Sequence, residues 1–171
     1  NHGTFVRNLI QEGTLSGPSV VQIGVRDFQW RDSGARYLAE QGARCHGTVE
    51  LDEQGLAPLL DVLRRERDRP TYVSFDIDSL DPAFAPGTGE YMPAGLSARE
   101  ASWLVRQLFD GSLNLVGADL VEIAPPLDPT GRTVALGAHL LALMAEGLSA
   151  SVPAAGSMSK PAAVLPNGAR Q

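Results

Sequence analysis

The chain has 171 residues, of which 43% are hydrophobic and 20% charged, and its formal net charge is -6 at pH 7. This length supports the core of one domain and does not demand two. The acidic balance argues against nucleic-acid binding, since the one cluster of arginines, in residues 64–69, alternates with acids at a predicted helix end.

The sequence gives no sign of export or membrane insertion. The single cysteine, Cys45, excludes an internal disulfide. We find no signal peptide and no apolar run of membrane-spanning length. We therefore expect a cytoplasmic location and no membrane partner.

Signals for helix and strand alternate along the chain. Helices are predicted over residues 4–12, 32–41, 52–67 and 97–109 and from about residue 132, and strands over residues 20–26, 43–49, 71–75 and 115–123. The fourth helix begins with Ser97 as N-cap and Glu100 in a capping box. This alternation predicts an α/β fold with three layers, in which helices cover both faces of a mostly parallel sheet. We assign one domain to residues 1–149 and a disordered tail to residues 150–171.

Two carboxylates follow the predicted strand over residues 71–75. Asp76 and Asp78 are two apart, and side chains two apart on a strand point to the same face. Like charges placed together resist ionisation unless a cation or several donors compensate them. A divalent metal is the simplest compensation. The alternative is that one Asp caps a turn and the other is solvated.

The next segment turns away from the sheet as a loop. Residues 81–89 hold two prolines and two glycines and show no hydrophobic period. Loops at the carboxyl ends of parallel strands are where ligands bind in open sheets. Asp81 precedes Pro82, and we expect its carboxylate to hydrogen-bond nearby backbone amides in a turn.

The segment SFDIDSLDPAFAPGTG, with GADLVEIAPPLD further along, resembles the ureohydrolase family, which holds arginases, agmatinases and other guanidino-compound hydrolases. The resemblance covers roughly residues 2–149, and its loop is more agmatinase-like than arginase-like. It implies an arginase-like fold and hydrolysis of an agmatine-like guanidino compound to urea and an amine.

The resemblance also implies a binuclear manganese centre in which Asp76 and Asp78 are ligands. Hydrolysis of a guanidinium needs a hydroxide near neutral pH, which bridging metal ions provide, and hard oxygen ligands suit manganese. By the same resemblance, Glu122 receives the substrate guanidinium and His2 assists proton transfer to the leaving amine. Taken alone, Glu122 would be read as the partner of a structural arginine and His2 as solvated.

The sequence departs from the family in two places. Relatives carry Thr where this loop has Glu90, so Glu90 either grips a cationic substrate or faces solvent, and guanidinobutyrate, guanidinopropionate and arginine stay open as substrates. The earlier metal motifs, Gly-Gly-Asp-His and Asp-Ala-His-x-Asp, are absent. We therefore expect these residues to be a partial domain that is inactive alone. We expect its parent to be a manganese hydrolase that forms a trimer or hexamer, as its relatives do.

Two other classes compete with this interpretation. An aspartyl phosphotransferase also places Asp-x-Asp after an apolar strand, but it needs a lysine near the phosphate, and the only lysine is Lys160, in the tail. A non-catalytic relative or a half-domain that packs on a partner subunit would explain the missing motifs. We assign structural roles to Cys45 and His46 and no role to His139.

Overall fold

The computed structural model describes residues 2–26 and 33–151, with the backbone alone for His2, Ser33 and Ser151. Its helices are α1 (Phe5–Gln11), α2 (Ser33–Glu40), α3 (Thr48–Gln54), α4 (Ala57–Arg65), α5 (Ala98–Leu108) and α6 (Arg132–Ser151). Its strands are β1 (Val21–Val25), β2 (Arg44–Gly47), β3 (Thr71–Asp76) and β4 (Leu115–Val121). The described elements follow the predicted order, and the α/β class is confirmed.

The strands form two parallel pairs. β1 pairs with β2, and β3 pairs with β4 in a register that sets Ser74 opposite Asp119 and Asp76 opposite Val121. Along the chain, helix α2 connects β1 to β2, and helix α5 occurs in the segment that connects β3 to β4. Within each pair the carboxyl ends lie at the same edge, and Arg26 after β1 contacts Asp78 after β3, so the ends of β1 and β3 come together where the predicted site residues begin.

One apolar core lies against a single face of the β3–β4 pair. Phe75 of β3 and its register neighbour Leu120 of β4 face residues of α5 and α6, among them Leu104 and Leu140. Leu140 is completely buried, which contributes about 1.5–3 kcal/mol to stability.

The opposite face of the β3–β4 pair is uncovered in the described part of the chain. Tyr72 is 59% exposed and Val121 37% exposed, and Ser74 between them is also exposed. Side chains alternate along a strand, so Asp76 belongs to this open face together with Tyr72 and Ser74. The predicted acids therefore lie on the side of the sheet away from the core.

The helix predicted over residues 52–67 is wrong, since the structure has two helices there. Gly55 separates α3 from α4 with a φ of +75°, a left-handed conformation that glycine adopts without steric cost. The preceding strand is also shorter than predicted, because Thr48 already begins α3. Leu59 and Leu60 of α4 are buried in the core, as their spacing indicated.

The start of α5 follows the prediction closely. The Ser97 hydroxyl accepts a hydrogen bond from the Glu100 amide at 3.2 Å, and the Glu100 carboxylate accepts one from the Ser97 amide at 2.8 Å. This reciprocal pair is the predicted capping box, and it satisfies two amides at the helix end that have no partner within the helix.

The expectation that no apolar run reaches membrane-spanning length is wrong for α6. Residues Arg132–Ala150 are long and apolar enough to cross a membrane by length and composition alone, with a mean hydropathy of 1.4. Leu140, Leu143 and Met144 of this helix are buried in the core with residues of the sheet and α5, and 28% of the apolar window is buried in all. The helix also continues to Ser151, into the predicted tail, whose other residues lie outside the described part.

Candidate active site

The turn that follows β3 brings Asp76 and Asp78 together. Asp76 is the last residue of the strand, and Asp78 lies in a single 3-10 turn, Ile77–Ser79. The Asp78 amide donates a hydrogen bond to Oδ1 of Asp76 at 3.0 Å, and the Ser79 hydroxyl donates one to the Asp76 carbonyl at 2.7 Å. The two acids converge as predicted, but through this turn and not through strand alternation.

Burial strongly disfavours the charged forms of both acids. Desolvation, with the charges of Asp78 and Glu122 adding to it, raises the pKa of Asp76 to about 7. Burial also raises the pKa of Asp78, although its hydrogen bond with Asp76 and the charge of Arg26 oppose this. Near neutral pH a cation would therefore compete with a proton for this pair.

Glu122 comes to the same place from the end of β4. It follows Val121, the register partner of Asp76, and its negative charge raises the pKa of both aspartates. Its φ of +65° lies in the left-handed region, which costs a residue other than glycine about 1–3 kcal/mol. β4 thus ends two residues earlier than predicted, and Glu122 is held in a strained backbone just past the strand.

Glu90 lies in the loop predicted to carry the site. Its charge raises the pKa of Asp78, so the exposed Glu90 carboxylate acts on the same pair of acids. The loop is fixed at Gly87, whose amide donates to the Thr133 hydroxyl at 2.8 Å and whose carbonyl accepts from the Ala124 amide at 2.8 Å. These bonds tie the loop to the start of α6 and to the segment after Glu122.

Asp81 has the turn-forming role expected of it. One of its carboxylate oxygens accepts from the Ala83 amide and the other from the Ala94 amide, both at 2.8 Å. The carboxylate is therefore occupied in closing the loop that begins after the 3-10 turn. It is not a spare ligand.

The structure tests the other sequence-predicted residues unequally. His2 begins a 3-10 turn, His2–Thr4, but its side chain lies outside the described residues, so its place beside the acids stays a prediction.

The His46 ring forms a hydrogen bond with Glu50 at 3.1 Å, and the Cys45 thiol donates one to Gln22 at 3.3 Å. Burial raises the pKa of that thiol, which keeps it in the protonated form. His139 is exposed on α6.

Sequence reasoning missed Arg26. This arginine directly follows β1, is only 6% exposed, and donates hydrogen bonds to the carbonyls of Gly24 and Asp78. A lone arginine at the end of the apolar run Val-Gln-Ile-Gly-Val is the signal that could have found it. A charged residue in that position needs a buried partner.

The acids fit a hard divalent cation. Asp76 and Asp78 are in contact, the charges of Glu90 and Glu122 act on them, and oxygen donors suit manganese or magnesium. Within residues 2–26 and 33–151, no group of three or more His, Cys, Asp or Glu side chains is arranged to hold a metal ion. Asp76 and Asp78 can therefore supply part of a ligand set that other residues must complete.

The described part of the chain is an α/β protein with acids gathered at the carboxyl ends of its parallel strands. The sequence profile of the arginase family matches residues 1–146, and the chain belongs to that family. Membership removes the aspartyl phosphotransferase alternative.

The relatives act on several guanidino compounds, by their names. The mitochondrial agmatinase of Gallus gallus is 44% identical over 141 residues, which is 82% of this chain and 41% of the relative. Guanidinopropionase of Pseudomonas aeruginosa is 43% identical over 155 residues, covering 88% of this chain and 48% of the relative.

Solved structures share the fold. Proclavaminate amidino hydrolase from Streptomyces clavuligerus superposes with a TM-score of 0.76 at 35% identity, covering 86% of this chain and 48% of that chain. The arginase-like fold is thereby confirmed. The chain spans less than half the length of each of these relatives.

Proposed function

We propose that the whole protein is a manganese-dependent hydrolase that splits a guanidino compound into urea and an amine. The observation that carries this proposal is the meeting of Asp76, Asp78 and Glu122 at the ends of two paired parallel strands. Family membership and relatives named agmatinase and guanidinopropionase support the reaction class.

Asp76 and Asp78 would hold the metal. Burial raises their pKa values, so a bound cation would compensate two carboxylates whose charged forms are otherwise disfavoured. When bound, manganese would lower the pKa of water, so that hydroxide, the attacking species, would be available near neutral pH. The remaining ligands must come from residues other than these two.

Glu122 would bind the guanidinium of the substrate. A carboxylate pairs with this planar, forked cation through two parallel hydrogen bonds, which orients the carbon as well as holding it. The strained φ of Glu122 fits such a role, because strain of this kind persists where the surrounding structure fixes a functional side chain. His2 would carry the proton to the leaving amine, a transfer to which imidazole is suited.

Agmatine is the substrate class that we favour. It carries a second positive charge beyond the guanidinium, and the carboxylate of Glu90, whose charge acts on Asp78, would attract such a charge and repel the carboxylate of a guanidino acid. We propose a homo-oligomer, trimer or hexamer, and a cytoplasmic location along with this activity. The 171 residues alone would hold manganese weakly, with two ligands, and release no urea.

The test is urea release by the whole protein with manganese chloride, using agmatine, guanidinobutyrate, guanidinopropionate and arginine in turn. The E122Q variant should lower kcat/KM by about 30-fold or more, because losing one charge of a desolvated pair costs about 2 kcal/mol or more. E53Q is the matched control, since Glu53 is exposed on α3. Absence of urea from all four compounds would favour the non-catalytic alternative.

A further inference from the structure

Arg26 links the two strand pairs at the edge where the acids meet. Its Nη1 donates to the Gly24 carbonyl at 3.1 Å, and its Nη2 donates to the Asp78 carbonyl. The same Nη2 lies 3.8 Å from Oδ1 of Asp78. One guanidinium therefore holds the end of β1 and the turn after β3 together, 52 residues apart in the chain.

The contact with the backbone is closer than the contact with the carboxylate. At 3.8 Å the ion pair is too long for a hydrogen bond, whereas the Asp78 carbonyl is in direct hydrogen-bond contact. The Asp78 carboxylate is therefore not hydrogen-bonded to Arg26. Arg26 fixes where the Asp78 residue sits without occupying the oxygens that a cation would need.

The end of β1 is shaped to bring Arg26 to this position. Gly24 has a φ of +81°, and the β1–β2 register shifts between Ile23 and Val25. A Cβ at Gly24 would lie 3.6 Å from the Cβ of Ser79, so the strand passes at ordinary contact distance from the turn. The Gly24 carbonyl accepts the bond from Nη1, and glycine adopts this positive φ without steric cost.

A charge this deeply buried is expensive unless it has good partners. Arg26 is 6% exposed, and its Nε has no hydrogen-bond partner among the described residues. Its positive charge lowers the pKa of Asp78, which the charges of Glu122 and Glu90 raise. The burial of Arg26 is therefore best understood through the acids that it faces.

We propose that Arg26 is a positioning residue for the metal-binding acids, in that its guanidinium clamps the Asp78 turn to β1 and holds the Asp78 carboxylate toward Asp76. The proposal rests on the proposed function for its catalytic consequence, but the clamp itself is a property of the fold. It requires two donors on one rigid plane, so lysine, with a single ammonium, would replace it only in part.

The test uses R26K and R26M variants of the whole protein, with R44M as the control. Arg44 is also a part-buried arginine on a strand that bonds a carbonyl, that of Pro18, and pairs with Glu66 at 3.2 Å, but it begins β2 at the opposite end from the acids. Circular dichroism selects variants that fold. If R26M does not fold, the measurements on R26K decide whether the proposal holds.

Two measurements are made on each folded variant. Amide hydrogen exchange of the segment around Ile77–Ser79 reports on the clamp without any metal, and electron paramagnetic resonance of free Mn(II) during titration with manganese chloride reports affinity. We expect faster exchange of that segment and a rise in dissociation constant of about 10- to 100-fold for R26M, the range seen when a residue supporting metal ligands is lost. R26K should fall between R26M and wild type, and R44M should match wild type.

The activity of R26K separates positioning from a general loss of structure. Raising the manganese concentration should restore its kcat while KM for the substrate stays as in wild type, because the guanidinium-binding carboxylate is untouched. A variant damaged only in its fold would not recover with metal. Unchanged exchange in the best folded variant overturns the clamp, and faster exchange with unchanged Mn(II) affinity overturns its role in positioning.

These outcomes are distinct from failure of the proposed function. If wild-type protein binds no Mn(II) and releases no urea, the proposed function fails, while the exchange experiment still decides whether Arg26 holds the turn. If wild type binds Mn(II) and the R26M and R26K variants bind it equally well, Arg26 has no positioning role and the proposed function stands.

Discussion

The amide of Asp78 donates a hydrogen bond to the carboxylate of Asp76 at 3.0 Å. This bond closes a 3-10 turn at the end of β3 and turns the second acid back toward the first. Ile77 between them is completely buried, so the turn is anchored in the core while its acids lie on the open side. The buried Ile77 thereby holds the carboxylates of Asp76 and Asp78 close together, although their like charges repel each other.

Replacing Asp78 by asparagine should weaken manganese binding by at least about tenfold, since loss of residues that only support metal ligands already has that effect. Asparagine keeps the size of the side chain and the hydrogen bond from the backbone amide of residue 78 to Asp76, but it removes the negative charge. Titration of the whole protein with Mn(II), followed by electron paramagnetic resonance, measures the change. D61N, on the exposed face of α4, should bind like wild type. Equal affinities for D78N and D61N would remove Asp78 from the ligand set.

The metal-free protein should lose stability as pH rises between about 4 and 7. The pKa of Asp76 is about 7 in the fold against a model value of 3.8, so in this window the folded state holds a proton that the unfolded state releases. The unfolded state then binds fewer protons, and the free energy of unfolding falls with increasing pH. Chemical denaturation at several pH values measures this slope.

The D76N variant is the control for that slope. It has no proton to release, so its stability relative to wild type should grow from pH 4 to pH 8 in the absence of metal. Manganese should stabilise wild type most near pH 8 and D76N little. A wild-type stability that rises between pH 4 and 7 in parallel with that of D76N contradicts the assignment.

Glycine at position 122 should stabilise the fold and abolish activity. The φ of +65° costs Glu122 about 1–3 kcal/mol, and glycine adopts it freely, at an entropic cost of about 0.5–1 kcal/mol. E122Q keeps the strain and loses the charge, so it should not share the gain in stability although it also loses activity. Denaturant midpoints of the two variants measure the difference. A glycine variant less stable than E122Q would show that Glu122 is not strained.

Truncation of Leu140 should destabilise the protein by about 2–5 kcal/mol, the range for large core residues. Leu140 is completely buried on α6 against the sheet. Its neighbour Leu141 is 45% exposed, so L141A should change stability by less than about 0.5 kcal/mol. Urea denaturation of both variants tests whether α6 is a core helix. Equal and small losses would mean that its apolar length serves another purpose.

Much of this arrangement could be predicted from local sequence. The capping box of α5 is a local pattern, and the parallel strands and the convergence of Asp76 with Asp78 follow from alternation of elements and from an apolar run that ends in acids. The break at Gly55 was also readable, since glycine is the residue that most easily leaves a helix with positive φ. The hydrophobic periodicity on both sides of Gly55 nevertheless favoured a single helix over residues 52–67.

Other features depend on contacts between distant segments and could not be read locally. The bond from Arg26 to the Asp78 carbonyl spans 52 residues, and Glu122 has a left-handed backbone that residues other than glycine rarely adopt. The side chain of Asp119, opposite Ser74, accepts from Tyr72 at 3.0 Å on the open face. Such pairs appear only when the register of the strands is known.

The most direct test is an anomalous diffraction measurement at the manganese absorption edge on crystals of the whole protein soaked in manganese chloride. We predict anomalous density within coordination distance of the carboxylates of Asp76 and Asp78, with Glu122 facing it across the space for a guanidinium. Carboxylates turned to solvent, with no anomalous density between them at saturating manganese, would contradict it.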